Sequence, residues 1–79
     1  FPNPFNPTTT IMFNIPISDY VNLDIYDLQG RFIESLCSDY LNAGKHEIIW
    51  DASDKASGIY IVRFSTSNHK FTQKITYLK

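Results

Sequence analysis

Cys37 is the only cysteine in the 79 residues, so no disulfide can close within the chain and cysteine usage names no redox compartment. A lone Cys in an apolar run reads as a small core residue. Charge of either sign is scarce: seven basic against eight acidic residues leave a formal net charge of −1, with no basic stripe and no acidic tail. That balance points to neither nucleic acid nor an anionic membrane surface as a partner. No apolar run approaches the ~18 to 20 residues of a spanning helix, and no charged n-region precedes an apolar h-region, so no membrane insertion is expected. A sustained helical period is missing as well.

Groups that carry chemistry are equally thin. His46 and His69 are the two histidines, on separate segments and outside any HxH or HExxH spacing, which denies a zinc site its ligand count. They read as surface or strand-end residues. No serine sits in a GxSxG elbow. Asp51, Ser53 and Asp54 make an oxygen-rich loop, but two carboxylates fall short of the about 6 to 8 oxygens that calcium takes. A solvated turn capped by Asx hydrogen bonds is the expectation there. The reading is a domain without catalytic residues, metal or cofactor, and not an enzyme.

What is present is apolar and aromatic: 43% hydrophobic and 15% aromatic residues argue for a packed unit rather than a disordered chain. Seventy-nine residues make one domain, near the size where burial only just offsets chain entropy. The chain opens FPNPFNPTTT. Pro2, Pro4 and Pro7 fix φ and push their preceding residues away from helix, so residues 1–7 read as a stiff extended lead-in. A start at Phe rather than Met reads as a piece excised from a longer polypeptide.

Period-2 alternation fills the remainder. Ile11, Phe13 and Ile15 share one face of a first strand that Pro16 stops. In YVNLDIYD at 20–27, Val21, Leu23 and Ile25 point one way and Tyr20, Asn22, Asp24 and Tyr26 the other. Gly30 suits the positive-φ position of the short loop that follows. A third strand runs through Phe32, Ile33 and Leu36; SDYLNAGK at 38–45 reads as a turn region; a fourth strand, HEIIWD, holds His46, Ile48 and Trp50 on one face. After the polar loop DASDKASG come IYIVRF at 59–64, a turn at STSNHK, and FTQKITYLK, with Phe71, Ile75 and Tyr77 alternating with Thr72, Lys74 and Thr76. Short strands punctuated by turn signals in this way predict an all-β sandwich of about six to seven strands. Its expected core is Ile11, Phe13, Val21, Leu23, Ile25, Ile48, Trp50, Ile59 or Tyr60, and Phe64. Tyr20, Tyr26, Tyr40, Trp50, Tyr60 and Tyr77 offer a sugar-stacking platform as an alternative, but in so small a domain large rings are expected to supply core, each burying ~150 to 250 Å².

FPNPFNPTTTI, LDIYDLQGRFI, NAGKHEIIWD, ASGIYIVRF and a closing KITYLK, in that order, resemble the successive blocks of the type A C-terminal sorting domain of the bacterial type IX secretion system. The resemblance covers essentially the whole chain. It implies a small immunoglobulin-like antiparallel sandwich that carries an N-terminal cargo, after export to the periplasm, through an outer-membrane translocon to the surface or medium. Removal by a sortase-like peptidase is also implied. Pro2, Asn3 and Pro4 resemble the family's opening motif, Gly30 and Arg31 its Gly-basic hairpin, Gly44 the turn before the Trp strand, Gly58 and Tyr60 the Gly-x-Tyr block, and Lys74 to Lys79 the closing segment. The glycines and prolines are expected to be structural, where the chain needs positive φ or close approach. Arg31, Lys74 and Lys79 are the expected contacts with the secretion machinery, made by a monomer.

An accessory carbohydrate-binding or spacer module of a secreted enzyme is the competing reading. Within the sorting reading, unpaired strand edges give a partner strand backbone to pair with, and the last strand is the expected target. Unchanged export after deletion of residues 74–79 would sink that role.

Overall fold

Alternation becomes pairing in the computed structural model of the chain, which describes residues 7–79. The strands are β1 (Thr8–Ile15), β2 (Asp19–Asp27), β3 (Phe32–Leu41), β4 (Gly44–Asp51), β5 (Gly58–Ser65) and β6 (Lys70–Tyr77). Among the described residues β1 pairs antiparallel with β4 alone, and a four-stranded antiparallel sheet runs in the order β3-β2-β5-β6. No helix occurs among the described residues. The fold is the expected all-β sandwich, with six strands.

β2 is flanked on both sides, and its inward residues Val21, Leu23 and Ile25 have no exposed surface. Each such side chain contributes roughly 1.5 to 3 kcal/mol by leaving water. Around Leu23 and Ile25 pack Trp50, Ala52, Tyr60, Val62, Ile75 and Tyr77. Trp50 meets Tyr60 edge to face at 5.2 Å, and its indole N–H donates to Glu34 Oε1 at 3.0 Å. The choice between Ile59 and Tyr60 falls to Tyr60, 7% exposed against 41% for Ile59. The Tyr60 hydroxyl donates to the Ala56 carbonyl at 2.6 Å and so folds the 52–57 loop back onto the sandwich.

Four expected core residues are corrected. Ile11, Phe13, Ile48 and Phe64 are only half-buried against the core, because two strands cannot cover four. Phe13 packs on Phe64 of β5 at 4.9 Å, whereas the β4 residue Trp50 reaches Glu34 of β3 and Tyr60 of β5. β1 therefore lies over β5, and β6 overhangs.

The third strand is longer than expected and the turn after it shorter. β3 runs on through Ser38, Asp39 and Tyr40 to Leu41, leaving Asn42 and Ala43 as the connection. Ser38 and Asp39 face solvent on an edge strand, so their polarity mimics a turn. Register shifts between Leu23 and Asp24 and between Ile25 and Tyr26 leave Leu36 and Ile33 without a direct partner. Such bulges break the two-residue period. They let Glu34 turn inward to the Trp50 indole.

Candidate functional site

The β2–β3 turn is built on one carboxylate. Asp27 Oδ1 accepts from the backbone N–H of Gln29 at 3.0 Å and of Arg31 at 2.9 Å, and Oδ2 accepts from Arg31 Nε at 2.7 Å. Gly30, at φ 87°, supplies the left-handed step that brings its N–H to the Asp27 carbonyl at 3.0 Å. Arg31 is exposed, yet its guanidinium is engaged in holding its own turn. The hydrogen bond from the Arg31 backbone, followed by the Arg31 side chain, holds the Asp27 carboxyl below its ordinary 3.8, against an opposing desolvation. Ser67 acts likewise on Asp19, and the Ser53 backbone on Asp51.

For all three groups the folded state binds protons less readily than the unfolded chain. Their stabilisation is present above the ordinary carboxyl value and lost as pH falls through the lower folded values. Melting temperature is therefore expected to be level down to about pH 5 and to decline below about pH 4. In Asp27→Asn the acid decline should be shallower, by melts between pH 2 and 6; an unchanged decline would remove Asp27 from this account.

Lys74 lies on the outer face of β6 opposite Ile61, exposed. Lys79 follows the strand, its backbone N–H donating to Ser57 Oγ at 2.9 Å. Asp27 pairs with Tyr60 and Tyr60 with Ile75, so the Arg31 turn and Lys79 occupy the same end of the four-stranded sheet. Lys74 is further along β6. Gly44, at φ 122°, opens β4 opposite Ile15. Gly58 has no positive φ, and a Cβ there would meet nothing within 4 Å, so the backbone does not demand glycine at that position, contrary to expectation. Pro2 and Pro4 lie outside the described residues.

Net charge conceals a segregation that the sequence reading missed. All eight acidic residues precede position 55, whereas Lys55, Arg63, Lys70, Lys74 and Lys79 follow with no carboxylate among them. β5 and β6 form a cationic flank. β1, by contrast, carries no charge at all. Between β1 and the overhanging β6 lies an open, largely apolar groove of about 510 Å³, lined by Ile11, Phe13, Phe64, Phe71 and Gln73 among others. Phe71, on the same face of β6 as Ile75 and Tyr77, is 61% exposed because nothing of the smaller sheet reaches it.

Residues that tempted a chemical reading are placed in structure. The platform aromatics divide: Trp50, Tyr60 and Tyr77 are buried, while Tyr20 and Tyr40 form an exposed cross-strand pair and Tyr26 packs edge-on against Phe32 at 5.8 Å. His46 stacks on Phe13 at 5.4 Å with Nε2 at 2.7 Å from the Asn42 carbonyl, and the His69 carbonyl accepts from Thr66 N at 2.9 Å in the last turn. Asp51 caps its loop through the Ser53 N–H at 2.9 Å, the expected Asx bond. Cys37 is half-buried against the core, and burial pushes its thiol up, away from a reactive thiolate. Among the described residues no group of three His, Cys, Asp or Glu side chains converges as a metal site.

A small antiparallel sandwich with bare strand edges and a one-sided distribution of cations has the means of a recognition module, presenting surface rather than chemistry. The family model described as the secretion system C-terminal sorting domain matches residues 1–77, and the chain belongs to that family. No curated protein and no solved structure matches it. The family is the noncatalytic C-terminal sorting signal of type IX secretion: it directs an N-terminal cargo through the outer-membrane translocon, interacts with the secretion machinery, and marks a secreted or cell-surface protein. The carbohydrate-binding alternative is not favoured.

Proposed function

We propose that this chain is a single domain of a larger secreted protein, that its cargo passes through the periplasm, and that the secretion machinery reads the domain as a monomer. Arg31, Lys74 and Lys79 are the contacts, and a sortase-like peptidase then removes the domain. The observation that carries the reading is the cationic flank of β5 and β6, exposed beside free sheet edges within a member of the sorting family. Exposed lysines add little to a fold and are available for a partner. Arg31 is the less clean probe, since its side chain also closes the Asp27 turn.

The domain fused behind a signal peptide and an inert reporter is expected to bring the reporter to the surface or medium of a bacterium that has the translocon. A translocon-minus strain should hold it in the periplasm. Export that ignores the translocon overturns the sorting role for this chain. The Lys74→Glu, Lys79→Glu double variant should keep its melting temperature and lose most export; normal export would reduce both lysines to solubilising edge charges. Mass spectrometry of the surface product decides removal, by the presence or absence of peptides from the domain.

A further inference from the structure

The chain enters the sandwich at the end that also carries the Arg31 turn and Lys79. Thr8 opens β1 opposite Asp51, and the Pro7 carbonyl accepts from the Ala52 N–H at 3.0 Å. At the other side of the same loop, Ser57 Oγ accepts from the Lys79 N–H at 2.9 Å. Ala52 and Ser57 are five residues apart in the chain, which caps their separation at about 18 Å even when fully extended. The loop is also held from inside, by the Tyr60 hydroxyl on the Ala56 carbonyl and by Lys55 at 3.7 Å from Glu34, so the spacing is fixed. The Arg31 turn closes this same end, since Asp27 pairs with Tyr60 and Trp50 packs on Tyr60. Leu28 in that turn and Leu78 before Lys79 are half exposed and give the end apolar surface as well.

An N-terminal cargo must leave from this end. A folded cargo of about 100 residues has a radius of gyration near 13 Å and is therefore roughly 34 Å across. Joined directly to Pro7, it is wider than the loop that separates the entry from Lys79, and it overlies that loop and its neighbours. The opposite end, where Lys70 opens β6, lies a strand length away, about 26 Å, and stays clear of it. Resting on the sorting reading, we propose that the contact of the secretion machinery with the Arg31 turn and Lys79 is gated by stand-off. A folded cargo seated flush on Pro7 closes this surface, and a spacer that holds it off by roughly the 18 Å reach of the loop opens it. The machinery protein that reads this end fits between the domain and its cargo.

The test is a set of fusions behind a signal peptide and an inert folded reporter, with residues 1–6 kept, replaced by six or by twelve Gly and Ser residues, or omitted so that the reporter meets Pro7. Twelve such residues, with a mean span of about 19 Å, should match the parent; six, at about 13 Å, should export less; the flush fusion should lose at least about tenfold. A short unstructured epitope joined flush should be exported like the parent, since it covers nothing. Amine labelling read by mass spectrometry needs no translocon: Lys79 should react several-fold more slowly in the flush reporter fusion, and Lys70 at its usual rate. If the parent needs the translocon and the flush folded reporter is exported equally well, the gate falls and the sorting reading stands. Failure of twelve Gly and Ser residues to replace residues 1–6 would overturn it in favour of a sequence that is read directly. Should the flush fusion lack a cooperative melt, the six- and twelve-residue fusions decide, and equal export of the two overturns the gate. A parent that ignores the translocon takes down the sorting reading, and the Lys79 labelling still decides whether a flush cargo closes this end.

Discussion

Trp50→Ala is expected to leave a domain that is substantially unfolded in buffer at room temperature. The ring is 1% exposed, packs edge to face on Tyr60, and donates its N–H to Glu34. Truncating a buried aromatic to Ala loses about 3 to 5 kcal/mol, which for a domain of this size is most of a total near 5 kcal/mol. Glu34 is left half-buried, with Lys55 at 3.7 Å as its counter-charge among the described residues. Trp50→Phe should recover much of the loss by refilling the volume. Denaturant melts measure both; a Trp50→Ala loss below ~1 kcal/mol would show that the ring does not bear on the core.

Deletion of residues 74–79 is expected to unfold the domain, not merely to blind the secretion machinery to it. Ile75 and Tyr77 are each 1% exposed, and the deletion also strips the pairing of Gly58 through Ile61 on β5. Two such losses, at about 2 to 5 kcal/mol each, exceed the stability of a small domain. Circular dichroism of the truncated chain should show lost β signal and no cooperative melt. Retention of a cooperative melt would mean that β6 is an accessory strand. Loss of export in that deletion thus reports folding and recognition together, and the Lys74 and Lys79 charge reversals separate them.

Which parts of this were legible follows from chemistry. β2 was readable residue by residue, because Val21, Leu23 and Ile25 alternate with Asn22, Asp24 and Tyr26 and a one-residue slip would bury the polar set. β3 was not, since its bulges interrupt the period and Ser38 and Asp39 are strand residues with turn chemistry. The half-burial of Ile11, Phe13, Ile48 and Phe64 arises from the unequal width of two sheets, which no local pattern encodes. Phe71 and Ile75 share a face and alternate identically, yet one is bare and the other buried by position alone. On the functional side, the family came from five motif blocks in register, whereas the cationic flank was countable in the chain and hidden by a balanced total. Arg31's engagement needed coordinates, although the Asp27-x-Gln29 spacing is an Asx-turn signal.

Pairing of β1 with β4, rather than with its neighbour β2, also sets the order in which the domain can assemble as it is made. β2 and β3 are joined by a short turn and can close as a hairpin once residue 41 is available. β1 is synthesised first and must wait for residues 44–51, and the core is sealed only when Ile75 and Tyr77 arrive. Strand pairing that spans so much of a chain is slow, since loop closure precedes the contacts that reward it. The nascent domain therefore passes through a stage in which an uncharged strand and the open edge of β5 are both unpaired. That interval is the stage most exposed to aggregation.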